Sequence, residues 1–537
     1  MSRLWRCLWQ QGRPLNQATD IPFMKKILGS AIGVIVALGA LSTAGAWYTG
    51  QQLPTVLDTA IKNANEDMAK TLPAVGFSAT VELVSLEQQL FSSDARYRIK
   101  LVGSLDGEAP ANFEWTMIDH IEHGPFPLSR LKAFKLLPVM ATSNYALERS
   151  PALDAWFAAS QSGAPLQGQV SLGYDRSMQG NLRLQPLQLD LDEQTRIDFT
   201  GLNVDFDTTA DAEQISATGL MDSFKISAKL DSDEDLRIEF KGMNLDSNTR
   251  KGVSDFYLGQ NEVRLQLIEL QVGENAPVLI KDFVQRDETS EANQQLSARY
   301  SYDVGMISYQ GTDIGSSQMH WSVKNLDAAA LKSMVELYGT LLKDGKIDSE
   351  TGMPEVTDVQ TEQFKTDLEK LLAGKPGLAL EKLAFKTANG ESSFSFGLDL
   401  NKPASFDLPA PELAKQLIAQ LDAKLLVSKA MITDVIGVQA TLAGETDKEA
   451  IAQQAAMVGE MASGMAVASE LAVVQGQDIS SSLQYANDQV TFNGKQMTVE
   501  QFVALAMSSG GGLAGMAPET PAEEMLLDES EAESPIQ

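Results

Sequence analysis

Apolar and polar residues alternate with a period of two through the middle of this 537-residue chain, and that pattern restricts most of it to β-structure. In KISAKLDSDEDLRIEFKG, Ile226, Ala228 and Leu230 alternate with Lys225, Ser227 and Lys229. After a polar turn, Leu236, Ile238 and Phe240 alternate with Arg237, Glu239 and Lys241, as in a half-buried hairpin. NLRLQPLQLDLD, RIDFTGLNVDFD, EVRLQLIELQV and QLSARYSYDVGMISY repeat the alternation, placing strands at short spacing from about residue 78 to about residue 325. A run of this kind predicts a long antiparallel meander with one apolar and one wet face. The acidic turn at 231–235 reads as solvated. A calcium-binding EF-hand loop needs glycine at its sixth position, where this chain has Leu236 and the start of a strand.

At Asp327 the period changes to that of a helix. Asp327 suits an N-cap, and Leu331, Met334, Val335, Tyr338, Leu341 and Leu342 form one amphipathic face. A second helix is expected through Phe364, Leu368, Leu371 and Leu372, stopped by Gly374 and Pro376. A hairpin turning at Asn389 and Gly390 follows, with Phe394, Phe396 and Leu398 along one face. Residues 448–474 predict an alanine- and methionine-rich helix whose Met457, Met461 and Met465 stack at four-residue spacing. Packing is the expected use of such a stripe, ahead of gripping an apolar ligand or partner and well ahead of copper(I), since no His or Cys lies nearby. A last hairpin, SSLQYANDQVTFNG, leads to a helix capped by Thr498 with Gln501 in the capping-box position.

The ends of the chain differ from this pattern. Residues 27–48 run without a charge, long enough to cross a hydrocarbon layer of roughly 30 Å as a helix. Lys25 and Lys26 precede the run, and the first charge after it is Asp58, so the positive-inside bias exports everything beyond Tyr48. Ala44 and Ala46 resemble a cleavage site. The run nevertheless exceeds the roughly 7 to 15 residues of a signal h-region, and Trp47 and Tyr48 suit a membrane interface, so a retained anchor is expected. Met24 reads as an alternative start. Cys7, the only cysteine, precedes the apolar run, so the exported part has no thiol for disulfides, metal or catalysis. QQLPTVLDTAIKNANEDMAKTL predicts a short amphipathic helix leading away from the bilayer. After Ser508 the chain is glycine-rich and then acidic, and reads as a disordered tail.

The formal net charge of −30 argues against a nucleic-acid binder, which needs a clustered basic surface that an acidic chain rarely has to spare. Catalytic signatures are missing. GQVSLGYD has the wrong spacing for a nucleophile elbow, and neither a phosphate-cradling G-x-x-x-x-G-K-[ST] nor an H-E-x-x-H occurs. DHIEHGPFPLSRLK holds two of the three histidines. His120 and His123, three apart on a strand, point to opposite faces and cannot share a metal without a bulge, which leaves His320 in SSQMHWSV as the only further imidazole. The segment therefore reads as a structural or binding turn formed by His123, Gly124, Pro125, Phe126 and Pro127, with His123 hydrogen-bonded to backbone and LSRLKAFKLL at helical spacing after it. No metal, cofactor or catalytic residue is expected.

GVIVALGALSTAGAWYTGQQ, LFSSDARYRIKL, HGPFPLSRLKAFKLLPVMA, SYDVGMISYQGTDIGSSQMHWSVKNLDAAAL and SSLQYANDQVTFNGKQMTVEQFV resemble the YdgA-like family of bacterial inner-membrane proteins, a domain of unknown function, from Met24 to about Ala506. The resemblance implies one membrane anchor and a large periplasmic domain in Gram-negative bacteria, and brings no catalytic residues. The expected fold is a β-rich α+β protein: one N-terminal transmembrane helix, a long antiparallel β-meander, then a mixed helix and hairpin region. Its expected divisions are a cytoplasmic extension (1–23), the anchor (24–48), a periplasmic β-rich region (49–326), a periplasmic α+β region (327–507) and the acidic tail (508–537). The expected function is a non-catalytic structural or interaction role in the cell envelope, with envelope proteins or a second copy as partners besides the membrane. The alternative is a lipid-binding or lipid-transfer module, since a long sheet with an apolar inner face curls into a groove, by analogy with AsmA-like envelope proteins. A closed core would bury the apolar strand positions, and a groove would leave them uncovered.

Overall fold

The computed structural model describes residues 53–72, 77–89, 91–103, 111–123, 125–160, 163–190, 194–230, 234–344, 356–468, 470–476 and 478–505. The expected extension (1–23), anchor (24–48) and acidic tail (508–537) lie outside the described residues, as do Gly124 and most of the acidic turn, residues 231–233. Among the described residues, no helix is long and apolar enough to cross a membrane.

The first element is the amphipathic helix the sequence predicts, α1 (Leu53–Thr71). Its Leu57, Ala60, Ile61, Ala64 and Met68 recur at helical spacing and are buried against Val81, Tyr97, Ile99, Met117 and Ile121. Those residues belong to β1 (Phe77–Gln88), β2 (Ser92–Gly103) and β3 (Ala111–His123). β1 pairs with β2 on one side only, and the Asn65 amide accepts from Val81 N–H at 2.7 Å and donates to Val81 C=O at 2.9 Å on the other. A helix side chain thus satisfies groups that an edge strand would otherwise leave open.

After a short helix α2 (Leu128–Lys132) come β4 (Ala141–Leu147), helix α3 (Asp154–Ala159), β5 (Leu166–Leu172), β6 (Met178–Leu184), β7 (Leu187–Asp190), β8 (Thr195–Phe199) and β9 (Leu202–Thr208). Six long strands follow: β10 (Gln214–Lys229), β11 (Asp235–Lys251), β12 (Tyr257–Val272), β13 (Val278–Ala292), β14 (Gln295–Tyr309) and β15 (Thr312–Asp327). β10 pairs along its length with both β8 and β9, and these pair in turn with β7 and β6, so each of those pairs is one long strand broken midway. Helices α4 (Ala328–Asp344) and α5 (Asp358–Ala373) then interrupt the chain but not the sheet, because β15 pairs directly with β16 (Gly377–Lys386). β17 (Glu391–Leu400), α6 (Ala410–Leu417), β18 (Ile418–Ser428), α7 (Lys429–Leu442), α8 (Lys448–Ala468), β19 (Val473–Gln475), β20 (Asp478–Ala486), β21 (Gln489–Phe492) and β22 (Lys495–Thr498) complete the order. Every pairing is antiparallel, in one continuous sheet. Strands of about 16 residues span roughly 50 Å.

A crease crosses this sheet. Gly201, Asp222, Gly242, Gln266, Asp282 and Gly305 sit at one level on neighbouring strands, and the ladder skips them without losing register from β10 to β14. Gly201, Gly242 and Asp282 have positive φ there, at 104°, 64° and 54°. Below the crease the apolar residues of β11 are Leu236, Ile238 and Phe240; above it they are Met243 and Leu245, one step out of phase. A left-handed residue turns the pleat over, so a spacing of three keeps both series on one face. Met221 with Phe224, Phe240 with Met243, and Leu265 with Ile268 accordingly share a single apolar cluster.

The caps of the later helices follow the sequence expectation. Asp327 Oδ1 accepts from Ala330 N–H at 2.8 Å, α5 stops at Gly374, and Thr498 and Gln501 cap each other reciprocally. Two expectations are corrected. LSRLKAFKLL forms only the five residues of α2, because Phe134 adopts a left-handed φ of 56° and ends the helix. The methionine stripe of α8 does not pack: Met457, Met461 and Met465 are exposed, while Ala455, Gly459 and Ser463 form the buried stripe of a helix that contacts α7. Small residues let two helices approach closely, and the methionines, two positions further on, fall about 200° round the helix.

Gly242 tests the crease. A Cβ built there lies 2.5 Å from the Gln266 side chain, and β-branched residues do not adopt its φ. Gly242→Val is expected to cost about 1 to 3 kcal/mol, read as a lowered melting temperature, whereas Thr249→Val on the same strand, beyond the crease, leaves it nearly unchanged.

Candidate functional site

The turn named by the sequence sits at one end of β3. His123 lies beside Ser93, with Nε2 3.1 Å from the buried hydroxyl, so its side-chain partner is Ser93 rather than backbone; its own backbone N–H donates to Phe91 C=O at 2.8 Å. His120 faces the opposite side, with Nδ1 2.7 Å from an Asp94 carboxylate oxygen. His320 is on β15 and pairs with Asp303 at 2.9 Å. The three imidazoles are therefore on separate strands or faces, as alternation requires. Among the described residues, no group of three or more His, Cys, Asp or Glu side chains could hold a metal ion.

The rest of the turn is firmly built. Pro127 is buried, and the Glu122 carboxylate accepts from Ser129 N–H at 2.9 Å and from its hydroxyl. Arg130 turns inward, donating to Ser171 Oγ at 3.0 Å and to Leu137 C=O at 3.3 Å, although its Nε is buried without a partner. Val139 N–H closes the loop on Pro125 C=O at 3.0 Å. Pro125 and Phe126 are exposed.

Beneath the turn lies a group that sequence reasoning missed. Asp119 is buried on β3, and its carboxylate accepts from the Ser143 hydroxyl at 2.6 Å. Burial raises its pKa to about 6, an effect only partly offset by the hydroxyl and by His120. The same burial, with the Asp119 charge nearby, pushes the phenols of Tyr97 and Tyr145 upward. Tyr97 Oη has no hydrogen-bond partner, and Tyr145 donates to Asn181 C=O at 2.8 Å. Asp119 occupies an apolar position in NFEWTMIDHIEH, between Met117 and Ile121, and that misplaced charge was the available signal.

The second candidate is the apolar face of the sheet. Paired residues share a face, and three apolar rows cross it from β14 onward. One runs through Tyr300, Trp321, Leu380, Phe396, Ala423 and Leu483. A second joins Tyr302, Met319, Leu383, Phe394 and Leu425, and a third Val323, Leu378, Leu398, Leu421 and Tyr485. Tyr300 and Trp321 stack with ring centroids 4.3 Å apart. None of these side chains is fully buried; Leu378, Leu383 and Leu425 remain more than 40% exposed. Opposite them stand Ser393, Ser395, Asp422, Lys424 and Ser482, so the sheet is wet on its outer face. Under α1, by contrast, the same apolar face is closed.

The described residues thus form one antiparallel sheet whose apolar face is closed by α1 over the first strands and stays half-exposed from β14 to β20. The chain belongs to the family described as bacterial protein of unknown function (DUF945), whose model matches residues 24–500. It is similar to Protein YdgA of Escherichia coli K12, 26% identical over 488 residues that cover 88% of this chain and 95% of that protein. It is also similar to Uncharacterized protein YihF of the same organism, 22% identical over 491 residues covering 89% and 98%. An uncharacterized protein of Haemophilus influenzae is 26% identical over 174 residues, 32% of this chain and 46% of that one.

Asp119 gives a pH test. Its carboxyl holds a proton to higher pH folded than unfolded, so its contribution is most favourable below pH 4 and declines as pH rises towards about 6. Relative to the parent, Asp119→Asn is expected to gain stability across that interval, by an amount of order 2 kcal/mol, and to hold the gain above it. Denaturant titrations at pH 4 and pH 7.5 measure the difference. Equal gaps at both pH values would show that Asp119 ionises freely in the fold.

Proposed function

We propose that this protein is a non-catalytic lipid-binding module of the bacterial cell envelope, holding acyl chains along the apolar face of its sheet. The three half-exposed rows from Tyr300 to Tyr485 carry the reading. A soluble domain gains about 1.5 to 3 kcal/mol for each large apolar side chain it fully buries, so a face this long left open is a binding surface. Acyl chains fit it better than a compact solute, because the rows continue from strand to strand without a polar partition. The expected anchor at residues 24–48 would hold the module at the inner membrane with its bulk in the periplasm. A structural or interaction role, in which another envelope protein covers this face, is the competing reading.

One experiment separates them. A photoreactive phenylalanine analogue replaces Phe396 in cells, and the adduct is identified by mass spectrometry. Lipid adducts are expected, and Leu425→Asp is expected to lower them several-fold, whereas Ser395→Asp on the wet face leaves them unchanged. Adducts to protein alone would assign the face to a partner and sink the lipid reading.

A further inference from the structure

A second exposed apolar surface lies away from the sheet face, on the loop that follows β3. Phe126, Leu128, Phe134, Leu136 and Leu137 all point outward there, with Phe91 of the β1–β2 turn beside them; Phe134 is 87% exposed, Leu137 78% and Phe91 75%. The loop is not slack. Arg130 is drawn inward on Ser171 and the Leu137 carbonyl, Glu122 holds Ser129, and Val139 closes the base, so the scaffold presents these side chains to solvent.

Charge singles out the same segment. The chain has a net charge of −30, yet no Asp or Glu occurs from His123 to Leu147, where Arg130, Lys132 and Lys135 stand. The acids that bound this stretch are engaged: Glu122 by Ser129, and Glu148 by Arg96 at 3.3 Å. Lys132 and Lys135 are both exposed among the apolar side chains.

Position completes the argument. α1 and β1 run antiparallel, since Phe77 N–H bonds Leu72 C=O and Asn65 bonds Val81. A helix of about 28 Å laid against a strand of about 40 Å brings Leu53 towards the far end of β1. The β1–β2 turn and the loop after β3 lie at that end, where His123 N–H meets Phe91 C=O. The uncharged segment 27–48 thus ends five residues before a helix whose first turn is at the loop's end of the sheet.

We infer that the loop from Pro125 to Leu137, with Phe91, is a membrane-docking surface that inserts its apolar side chains among the acyl chains of an anionic bilayer while Lys132 and Lys135 contact headgroups. Local charge selects this occupant over a second copy of the chain, because packing this loop on its own copy would set Lys132 and Lys135 against the same cations, whereas anionic headgroups neutralise them. The inference stands whether or not the sheet face binds lipid.

The test uses the full chain with Cys7→Ser, reconstituted into vesicles and labelled with an environment-sensitive fluorophore at Phe134→Cys or, at the opposite end of the sheet, at Glu274→Cys. In vesicles containing phosphatidylglycerol, the label at 134 is expected to be quenched by brominated acyl chains and shielded from iodide, and the label at 274 to show the reverse. Lys132→Glu and Lys135→Glu are each expected to weaken docking about fivefold, as is replacing phosphatidylglycerol by phosphatidylcholine several-fold. Full iodide access at position 134 in anionic vesicles would overturn the proposal. Shielding at 134 in detergent, together with a doubled mass by light scattering, would assign the loop to a second copy and overturn it too.

Discussion

Backbone hydrogen bonding between antiparallel neighbours holds this protein together, and the requirement that one face stay apolar throughout governs what each strand must do. A strand of about 16 residues twists, and a sheet of many such strands cannot remain flat. The crease meets that demand at one level from β10 to β14, with a left-handed residue on alternate strands at Gly201, Gly242 and Asp282. Without it on β11, Phe240 and Met243 would face opposite sides and the ladder to β10 and β12 would mix apolar with wet positions. The crease is therefore a property of the sheet, enforced across strands by shared register.

The sheet's curvature and its cover are linked. α1 lies on the apolar face of the first three strands, and α4, which follows β15, approaches it. Elements a dozen strands apart along the ladder meet only if the sheet curls with its apolar side inward. α1 then closes one part of the concavity, where Leu57, Met117 and Ile121 are fully buried, and leaves the rows between β14 and β20 half-open. The chain has spent its covering helix on the N-terminal strands. α7 meets the β16–β17 turn, where Asp434 accepts from Asn389 N–H at 2.8 Å, and α8 turns its methionines outward.

The strands were legible in the sequence because alternation over more than ten residues has no helical counterpart. So were α1, the caps at Asp327 and Thr498, and the separation of His120 from His123. The crease was written there too, as an apolar spacing of three inside otherwise alternating strands: Met221 to Phe224, Phe240 to Met243, Leu265 to Ile268, Ile280 to Phe283, Val304 to Ile307. Read strand by strand, each looks like noise; only pairing shows that they align. The buried Asp119 and the outward methionines were not legible for a different reason. Residue type sets a preference for burial, but which face is covered depends on elements far away in sequence, and α8 buries Ala455, Gly459 and Ser463 because α7 lies close.

The loop after β3 breaks local rules at several points at once, and those breaks share one consequence. Phe134 takes a left-handed φ that costs a bulky side chain of order 1 kcal/mol or more, and Arg130 gives up solvent for a site where its Nε is unpartnered and burial lowers its affinity for a proton. A chain selected for stability alone would place the guanidinium outside and an apolar residue inside. Here the exchange runs the other way: the cation anchors the base of the loop, and the leucines and phenylalanines occupy its surface. Energy is given up at Arg130 and Phe134 to fix an apolar display in one orientation, and this is the pattern of a surface shaped by what it contacts rather than by the fold that carries it.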